Sequence, residues 1–167
     1  MVALYKGVYM DKIPSFNVNH LELMAGVYVS RVDVIGKEVI TTFDLRMKQP
    51  NLEPVINTAE IHTIEHIGAT YLRNSEDFKD KVIYFGPMGC RTGFYLILAG
   101  TYEAVDIIPL VRNLFEFISR FEDEIPGASA RDCGNFRDMH LPMARYEAKK
   151  YLDQLEHITN DQLVYPT

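Results

Sequence analysis

The segment His62-Thr63-Ile64-Glu65-His66 sets two imidazoles four residues apart with a carboxylate beside the second. On a helix, positions i, i+3 and i+4 share one face, so both rings can reach a single ion while the carboxylate stands next to it. That geometry serves proton transfer beside a Lewis-acidic metal. Two histidines hold an ion weakly, and a third ligand has to come from elsewhere in the chain. Cys133, next to Gly134 in a polar stretch, offers a soft, charged thiolate and would leave a fourth position open to water or substrate. The other cysteine is Cys90, between Gly89 and Arg91. The plainer reading of these residues makes the histidines surface or core groups, Glu65 a solvated helix residue and each cysteine a small buried hydrophobe. His140 and His157 stand at no ligand spacing from a second histidine and read as structural.

These side chains need elements to position them, and the apolar spacing outlines a set. Gly26 to Val34 and Val39 to Met47 alternate around an Ile35-Gly36-Lys37 turn, which is a hairpin signal. A loop over Gln49 to Pro54 leads to Asn57 or Thr58 as a helix cap, with Glu60 in the first turn of a helix over Ala59 to Arg73. Lys81 to Phe85 and Thr92 to Ala99 read as strands flanking a Gly86-Pro87-Met88-Gly89 turn, so Cys90 falls at the junction of turn and strand. Val105, Ile108, Val111, Leu114, Phe115, Ile118 and Phe121 recur at helical spacing over Ala104 to Glu122, with Pro109 early in that run. Ala128 to Met139 reads as a loop, and Pro142 to Ile158 as a final amphipathic helix. The opening to about Asn19 reads as an arm with limited structure of its own. Hairpins and helices without regular βαβ alternation or internal repeats indicate an α+β fold, an antiparallel β-sheet covered by α-helices on one side.

The 167 residues suit one domain with its own core, and 47% hydrophobic with 24% charged residues is ordinary globular composition. A net charge of −6 with 17 scattered basic residues argues against a nucleic-acid partner. No apolar run approaches the ~20 residues that span a bilayer, and Met1 to Ser15 shows no export signal. The expected location is cytoplasmic, where both cysteines would stay reduced. Free thiols there raise the expectation of metal ligation or nucleophilic chemistry.

Gly86-Pro87-Met88-Gly89-Cys90-Arg91-Thr92-Gly93-Phe94-Tyr95-Leu96 resembles the P-M-G-C-x-T-G-F/Y-Y-L segment of the LuxS family, the S-ribosylhomocysteine lyases. Further segments resemble the same family in the same order. Ser15-Phe16-Asn17-Val18-Asn19-His20 is similar to its S-F-x-x-x-H arm, Phe43-Asp44-Leu45-Arg46 to its F-D-[IL]-R strand end, Ile61 to His66 to its metal helix, and Cys133-Gly134 to its C-G ligand loop. The resemblance implies a single lyase-like domain over 1–167, with 1–14 as an N-terminal arm. It also implies a homodimer whose active sites lie at the subunit interface, with one divalent ion per subunit: iron(II) in the cell, zinc or cobalt in purified protein. It implies His62, His66 and Cys133 as ligands, Cys90 and Glu65 as acid–base groups, and Ser15, His20, Arg46 and Arg73 as substrate-binding residues. Without it, Arg46 would read as a salt-bridge residue at a strand end and His20 as a surface or capping histidine.

The implied reaction converts S-ribosylhomocysteine into homocysteine and 4,5-dihydroxy-2,3-pentanedione, the autoinducer-2 precursor, linking the activated methyl cycle to quorum sensing. Its steps remove weakly acidic C–H protons, so a base must stand close to the substrate, and a cation near Cys90 would favour the thiolate; Arg91 and the metal are available. Two departures stand out: Tyr84-Phe85 occupies places where many members carry acidic and Ser residues, and the N-terminal arm is longer than in some relatives. The H-x-x-E-H spacing also belongs to inverzincin metalloproteases. A small metallohydrolase of that kind would draw its third ligand from Glu116, Glu122 or Glu124 and leave both cysteines dispensable.

Overall fold

A computed structural model describes residues 3–5 and 8–166, with side chains from residue 11 onward. Positions 1, 2, 6 and 7 of the expected arm, and Thr167, lie outside the described residues. The arm carries more structure than its composition indicates: β1 (Ala3–Tyr5) pairs antiparallel with β2 (Val8–Met10), and Pro14–Phe16 forms a 3-10 turn. Three-residue strands are too short for alternation to register in a sequence window.

The main hairpin joins β3 (Gly26–Ile35) to β4 (Glu38–Arg46) through Gly36, whose φ of +66° is a left-handed conformation that glycine adopts without cost. With β5 (Val82–Pro87) and β6 (Gly93–Ala99) it builds a four-stranded antiparallel sheet in the order β3-β4-β6-β5. Register pairs Phe43 with Leu96 and Leu45 with Phe94 on one face, and Asp44 with Tyr95 and Thr42 with Ile97 on the other. Because side chains alternate along a strand, the first set points into the helical layer while the second faces away from it. At the end of β4, Arg46 pairs with Gly93, where a Cβ would stand 2.2 Å from the Leu45 carbonyl oxygen, so the close approach of the two strands requires glycine there.

Three helices cover the apolar face: α1 (Thr58–Asn74), α2 (Ala104–Arg120) and α3 (Leu141–Glu156). Ile61, Ile64 and Ile67 of α1, Ile107, Val111, Leu114, Phe115 and Ile118 of α2, and Ala144, Ala148 and Tyr151 of α3 form one core with Phe43, Leu45, Phe94 and Leu96. Full burial of each large aliphatic or aromatic side chain contributes about 1.5–3 kcal/mol. Phe85 stacks on Phe94 with ring centroids 4.8 Å apart, and Tyr151 meets Phe115 edge-on while donating a 2.7 Å hydrogen bond to the Gly26 carbonyl. The result is a single α+β domain with an antiparallel sheet and a helical layer.

Element ends differ from expectation by one or two residues. The run expected to reach Glu122 stops at Arg120, where Phe121 turns extended, and the last helix ends at Glu156 rather than Ile158. Asn57 caps α1 by position, yet its amide donates to Glu60 Oε1 at 3.3 Å instead of accepting from the helix. His140 caps α3, its Nδ1 accepting from the Met143 amide at 3.1 Å, which gives that histidine the structural place expected for it.

Candidate metal centre and active site

His62 and His66 lie in the second and third turns of α1, whose apolar side is buried in the core and leaves their face partly exposed. Their rings meet edge-on with centroids 4.7 Å apart. Each is fixed by a backbone carbonyl: His62 Nδ1 donates to Asp138 at 2.9 Å and His66 Nδ1 to Pro126 at 2.7 Å. A carbonyl oxygen only accepts, so both rings carry their hydrogen on Nδ1 and present the Nε2 lone pair. The two acceptors belong to the connection between α2 and α3, and the same connection supplies Cys133. Its Sγ stands 3.4 Å from His62 Nε2 and also accepts from the Asn135 amide at 3.4 Å.

One ligand atom from each of His62, His66 and Cys133 falls within 4.8 Å of the others. In a tetrahedral site with metal–nitrogen bonds of ~2.0–2.1 Å and a metal–sulfur bond of ~2.3 Å, sulfur and nitrogen are about 3.5 Å apart. The Cys133–His62 separation matches that edge, both tautomers are correct for ligation, and a thiolate completes the charge. These residues fit a divalent ion. Glu65 is adjacent, with Oε2 3.9 Å from His66 Nε2, and stands outside the ligand cluster. The acidic ligands that a hydrolase would need also stand outside it: Glu116 pairs with Arg120 at 2.8 Å and Glu122 with Arg145 at 3.3 Å.

Cys90 occupies the tight turn between β5 and β6, closed by the Arg91 amide on the Met88 carbonyl at 2.9 Å and the Met88 amide on the Gly93 carbonyl at 3.0 Å. Arg91 takes a left-handed φ of +58°, and Cys90 is exposed at the tip. The cation beside it is Arg46, arriving from the end of β4 with Nη1 3.8 Å from Cys90 Sγ. Among the cations the sequence offered, Arg91 was the one next in the chain; pairing of β4 with β6 instead brings Arg46 across. Arg46 Nη1 also donates to Thr92 Oγ1 at 2.6 Å, and Thr92 Oγ1 lies 3.0 Å from Cys90 Sγ, leaving its own hydrogen free for the sulfur.

Behind this contact lies a buried pair. Arg46 donates Nε to Asp44 Oδ1 at 3.1 Å and Nη2 to Oδ2 at 2.5 Å, and the Tyr165 hydroxyl adds a third hydrogen bond to Oδ2 at 2.8 Å. Burial alone would weaken the Arg46 charge, but Asp44 outweighs it and raises the guanidinium's hold on its proton. Sequence alone did not single out Asp44 or Thr92. Asp44 and Arg46 at i and i+2 on a strand share a face, which was a usable signal. Tyr165 gave none, being 121 residues from its partner.

A cavity of 220 Å³ opens at the thiol, lined by Ser15, Phe16, His20, Arg46, Cys90 and Tyr95 among others. Ser15, His20, Arg46 and Cys90 therefore come together, with His20 held by the Val18 carbonyl at 2.9 Å. Arg73 lies apart, exposed at the end of α1, donating to the Val82 and Ile83 carbonyls at 3.4 and 3.1 Å. Phe85 is core, whereas Tyr84 is exposed and lines a neighbouring 420 Å³ groove with Ser15 and Tyr95. Among the described residues, the Cys90 cavity and the His62–His66–Cys133 cluster share no lining residue within one chain.

The family model described as S-Ribosylhomocysteinase (LuxS) matches residues 13–162. The chain belongs to the LuxS family. The S-ribosylhomocysteine lyase of Clostridium beijerinckii is 62% identical over 158 residues, 94% of this chain and 99% of that protein. The lyase of the same description from Porphyromonas gingivalis (strain ATCC 33277) is 54% identical over 158 residues, with the same shares covered. That of Borrelia garinii subsp. bavariensis is 54% identical over 157 residues, 94% of this chain and all of its own. Membership makes this LuxS chain an enzyme of the S-ribosylhomocysteine lyase type. Among the described residues, no helix is long and apolar enough to cross a membrane.

Proposed function

We propose that the chain cleaves S-ribosylhomocysteine to homocysteine and 4,5-dihydroxy-2,3-pentanedione, with Cys90 as the proton-abstracting base and Glu65 as the proton shuttle. The observation that carries this reading is the exposed thiol of Cys90 set against Arg46 and Thr92 at the mouth of a cavity. Two isomerisations carry the sugar carbonyl from C1 to C3. Elimination then takes a proton from C4 as the C5–S bond breaks, and the thiol leaves with a proton, so no redox partner is consumed.

Each of these steps moves a proton off or onto carbon or oxygen. Arg46 Nη1 and the Thr92 hydroxyl stand at the Cys90 sulfur, where a cation and a hydroxyl stabilise negative charge. Glu65 stands beside the histidine pair, where a carboxylate can pass protons between neighbouring oxygens. Ser15 and His20 line the cavity and offer it polar groups, and Arg46 adds a positive charge. Arg73 remains a substrate-binding residue in this reading only if a second chain brings a pocket to it. His62, His66 and Cys133 would hold one divalent ion, iron(II) in the cell and zinc or cobalt in purified protein, which when bound supplies Lewis acidity toward the sugar oxygens.

The active unit is a homodimer with active sites at the subunit interface. Support comes from the separation of the Cys90 cavity from the ligand cluster within one chain, and from exposed apolar residues in the segment that carries Ser15 and His20, Phe16 and Leu21 being 64% and 77% accessible. The domain comprises residues 1–167, with 1–14 as its arm, and works in the cytoplasm, where it feeds homocysteine to the methyl cycle and the pentanedione to autoinducer-2 signalling.

The test is to incubate purified protein with S-ribosylhomocysteine in deuterated buffer and titrate released thiol. Wild type should release homocysteine and place deuterium in the pentanedione. Cys90→Ala and Glu65→Gln should keep their metal while turnover falls by about 10²-fold or more. A metal-replete Cys90→Ala protein releasing thiol at close to the wild-type rate would remove Cys90 as the base.

A further inference from the structure

After α3 the chain passes through the short 3-10 turn Asn160–Gln162 and returns along the start of β3. There Gln162 Nε2 donates to the Ala25 carbonyl at 2.8 Å, and the Asn19 amide reaches the Pro166 carbonyl at 3.5 Å. The tail is thus clipped both beside the sheet and to the segment that carries Ser15 and His20. The clip lays the Tyr165 ring flat on Tyr28, with centroids 4.9 Å apart and planes 10° apart, and brings its hydroxyl to Asp44.

Asp44 is completely buried, and three donors hold its carboxylate: Arg46 Nε on Oδ1, with Arg46 Nη2 and the Tyr165 hydroxyl on Oδ2. A carboxylate and a guanidinium bound edge to edge turn together, so whatever fixes the plane of one fixes the other. Arg46 Nη1 is the corner left over, and it is the corner that meets Thr92 and Cys90. Among the described residues, the Tyr165 hydroxyl is the donor from outside the pair that anchors that plane on the Asp44 side.

We propose that Tyr165 is a positioning residue for the reaction: its hydroxyl fixes the Asp44 carboxylate and, through it, holds the Arg46 guanidinium against Thr92 and the Cys90 thiol. The consequence for catalysis rests on the reading of Cys90 as the base. The groups whose charges couple to Asp44 are Arg46 on its own strand, Tyr28 from β3, Tyr151 from α3, His20 from the N-terminal segment, Tyr165 from the tail and Tyr95 from β6. Burial first and Asp44 second push Tyr28 up to about 12 and raise Tyr165 as well, so the Tyr165 hydroxyl keeps its proton and remains a donor throughout the neutral range.

Tyr165→Phe removes the hydroxyl and leaves the stack on Tyr28. In metal-replete protein, iodoacetamide labelling of the Cys90 peptide, followed by mass spectrometry between about pH 5 and 9, reports how strongly its surroundings favour the thiolate. The labelling midpoint should move up by about half a pH unit or more, and kcat should fall about 3- to 10-fold with KM nearly unchanged. In an Arg46→Lys background, which lacks the fork, the same change should cost about twofold or less. Tyr165→Leu, which also loses the stack, should shift the midpoint equally and lower the melting temperature further.

A lowered melting temperature with an unmoved labelling profile is the outcome of a merely structural tail and would overturn the proposal. So would an equal loss of kcat with or without the Arg46 fork. Labelling is read independently of turnover, so an active Cys90→Ala protein would defeat the base assignment while the labelling profile still decides whether Tyr165 acts on Arg46.

Discussion

Gly127→Ala tests how the histidine cluster is held without touching a ligand. The carbonyl of Pro126 accepts the His66 Nδ1 hydrogen at 2.7 Å, and the next residue, Gly127, has a φ of +69°. An added Cβ would stand 3.4 Å from His66 Nδ1 and 3.6 Å from Cε1, an ordinary contact, so the cost comes from the backbone. A left-handed conformation costs a non-glycine residue about 1–2 kcal/mol. The chain can relieve that strain by rotating the Pro126–Gly127 peptide, which would swing away the carbonyl that orients His66. The expected result is a loss of about 1–2 kcal/mol in urea unfolding of metal-free protein and a metal affinity about 10-fold or more weaker by chelator competition. Gly134→Ala is the matched control: it adjoins Cys133, has no left-handed φ and opens on free space, so both readouts should stay near wild type. Wild-type stability and affinity in Gly127→Ala, or equal damage from Gly134→Ala, would refute the reasoning.

Cys133→Ala should purify without its ion, because three ligands leave no redundancy, and full metal occupancy by elemental analysis would exclude Cys133 from the site. Chelation should lower the melting temperature of wild type, where ligand at about 1,000 times its dissociation constant contributes about 4 kcal/mol, and leave that of Cys133→Ala unmoved. Sedimentation at micromolar concentration should give a dimer, and a fully active monomer would contradict the shared-site arrangement. Glu53 provides an acid-side test. Burial alone would raise its carboxyl, but the Gln49 amide at 2.8 Å, Lys150 and Lys48 outweigh this and hold it below the ordinary 4.5. A depressed folded value contributes stability above the unfolded value that is lost as pH falls through the folded one. Thermal melts of Glu53→Gln should therefore show a shallower acid-side decline than wild type, and superimposable curves would count against that role.

Local periodicity made most of the fold legible. Alternation around Gly36 specified the β3–β4 hairpin, helical spacing specified α2, and the His62–Glu65–His66 interval placed two imidazoles and a carboxylate on one face before any tertiary contact was considered. Cys133 was legible for a different reason: beside Gly134 in a polar stretch it offered a soft, charged thiolate, and the resemblance implied it as the third ligand. Helix and strand ends shifted by a residue or two because capping geometry, not apolar spacing, sets them. The β1–β2 hairpin escaped because each strand spans too few residues to alternate.

The sequence by itself determined the longer elements and which residue types face the chemistry, since those depend on neighbours one to four residues apart. Only the tertiary structure decided which cation meets Cys90. Arg91 is next to it in the chain, yet the left-handed turn sets the thiol at its tip and the β4–β6 register carries Arg46 to it from across the sheet. The structure also supplied the carbonyls of Pro126 and Asp138 that fix both imidazole tautomers, and it brought Tyr165 back to Asp44. Those contacts link residues 60 to 121 positions apart. Strand order and helix packing create such contacts when the core closes, and no local pattern of side chains encodes them.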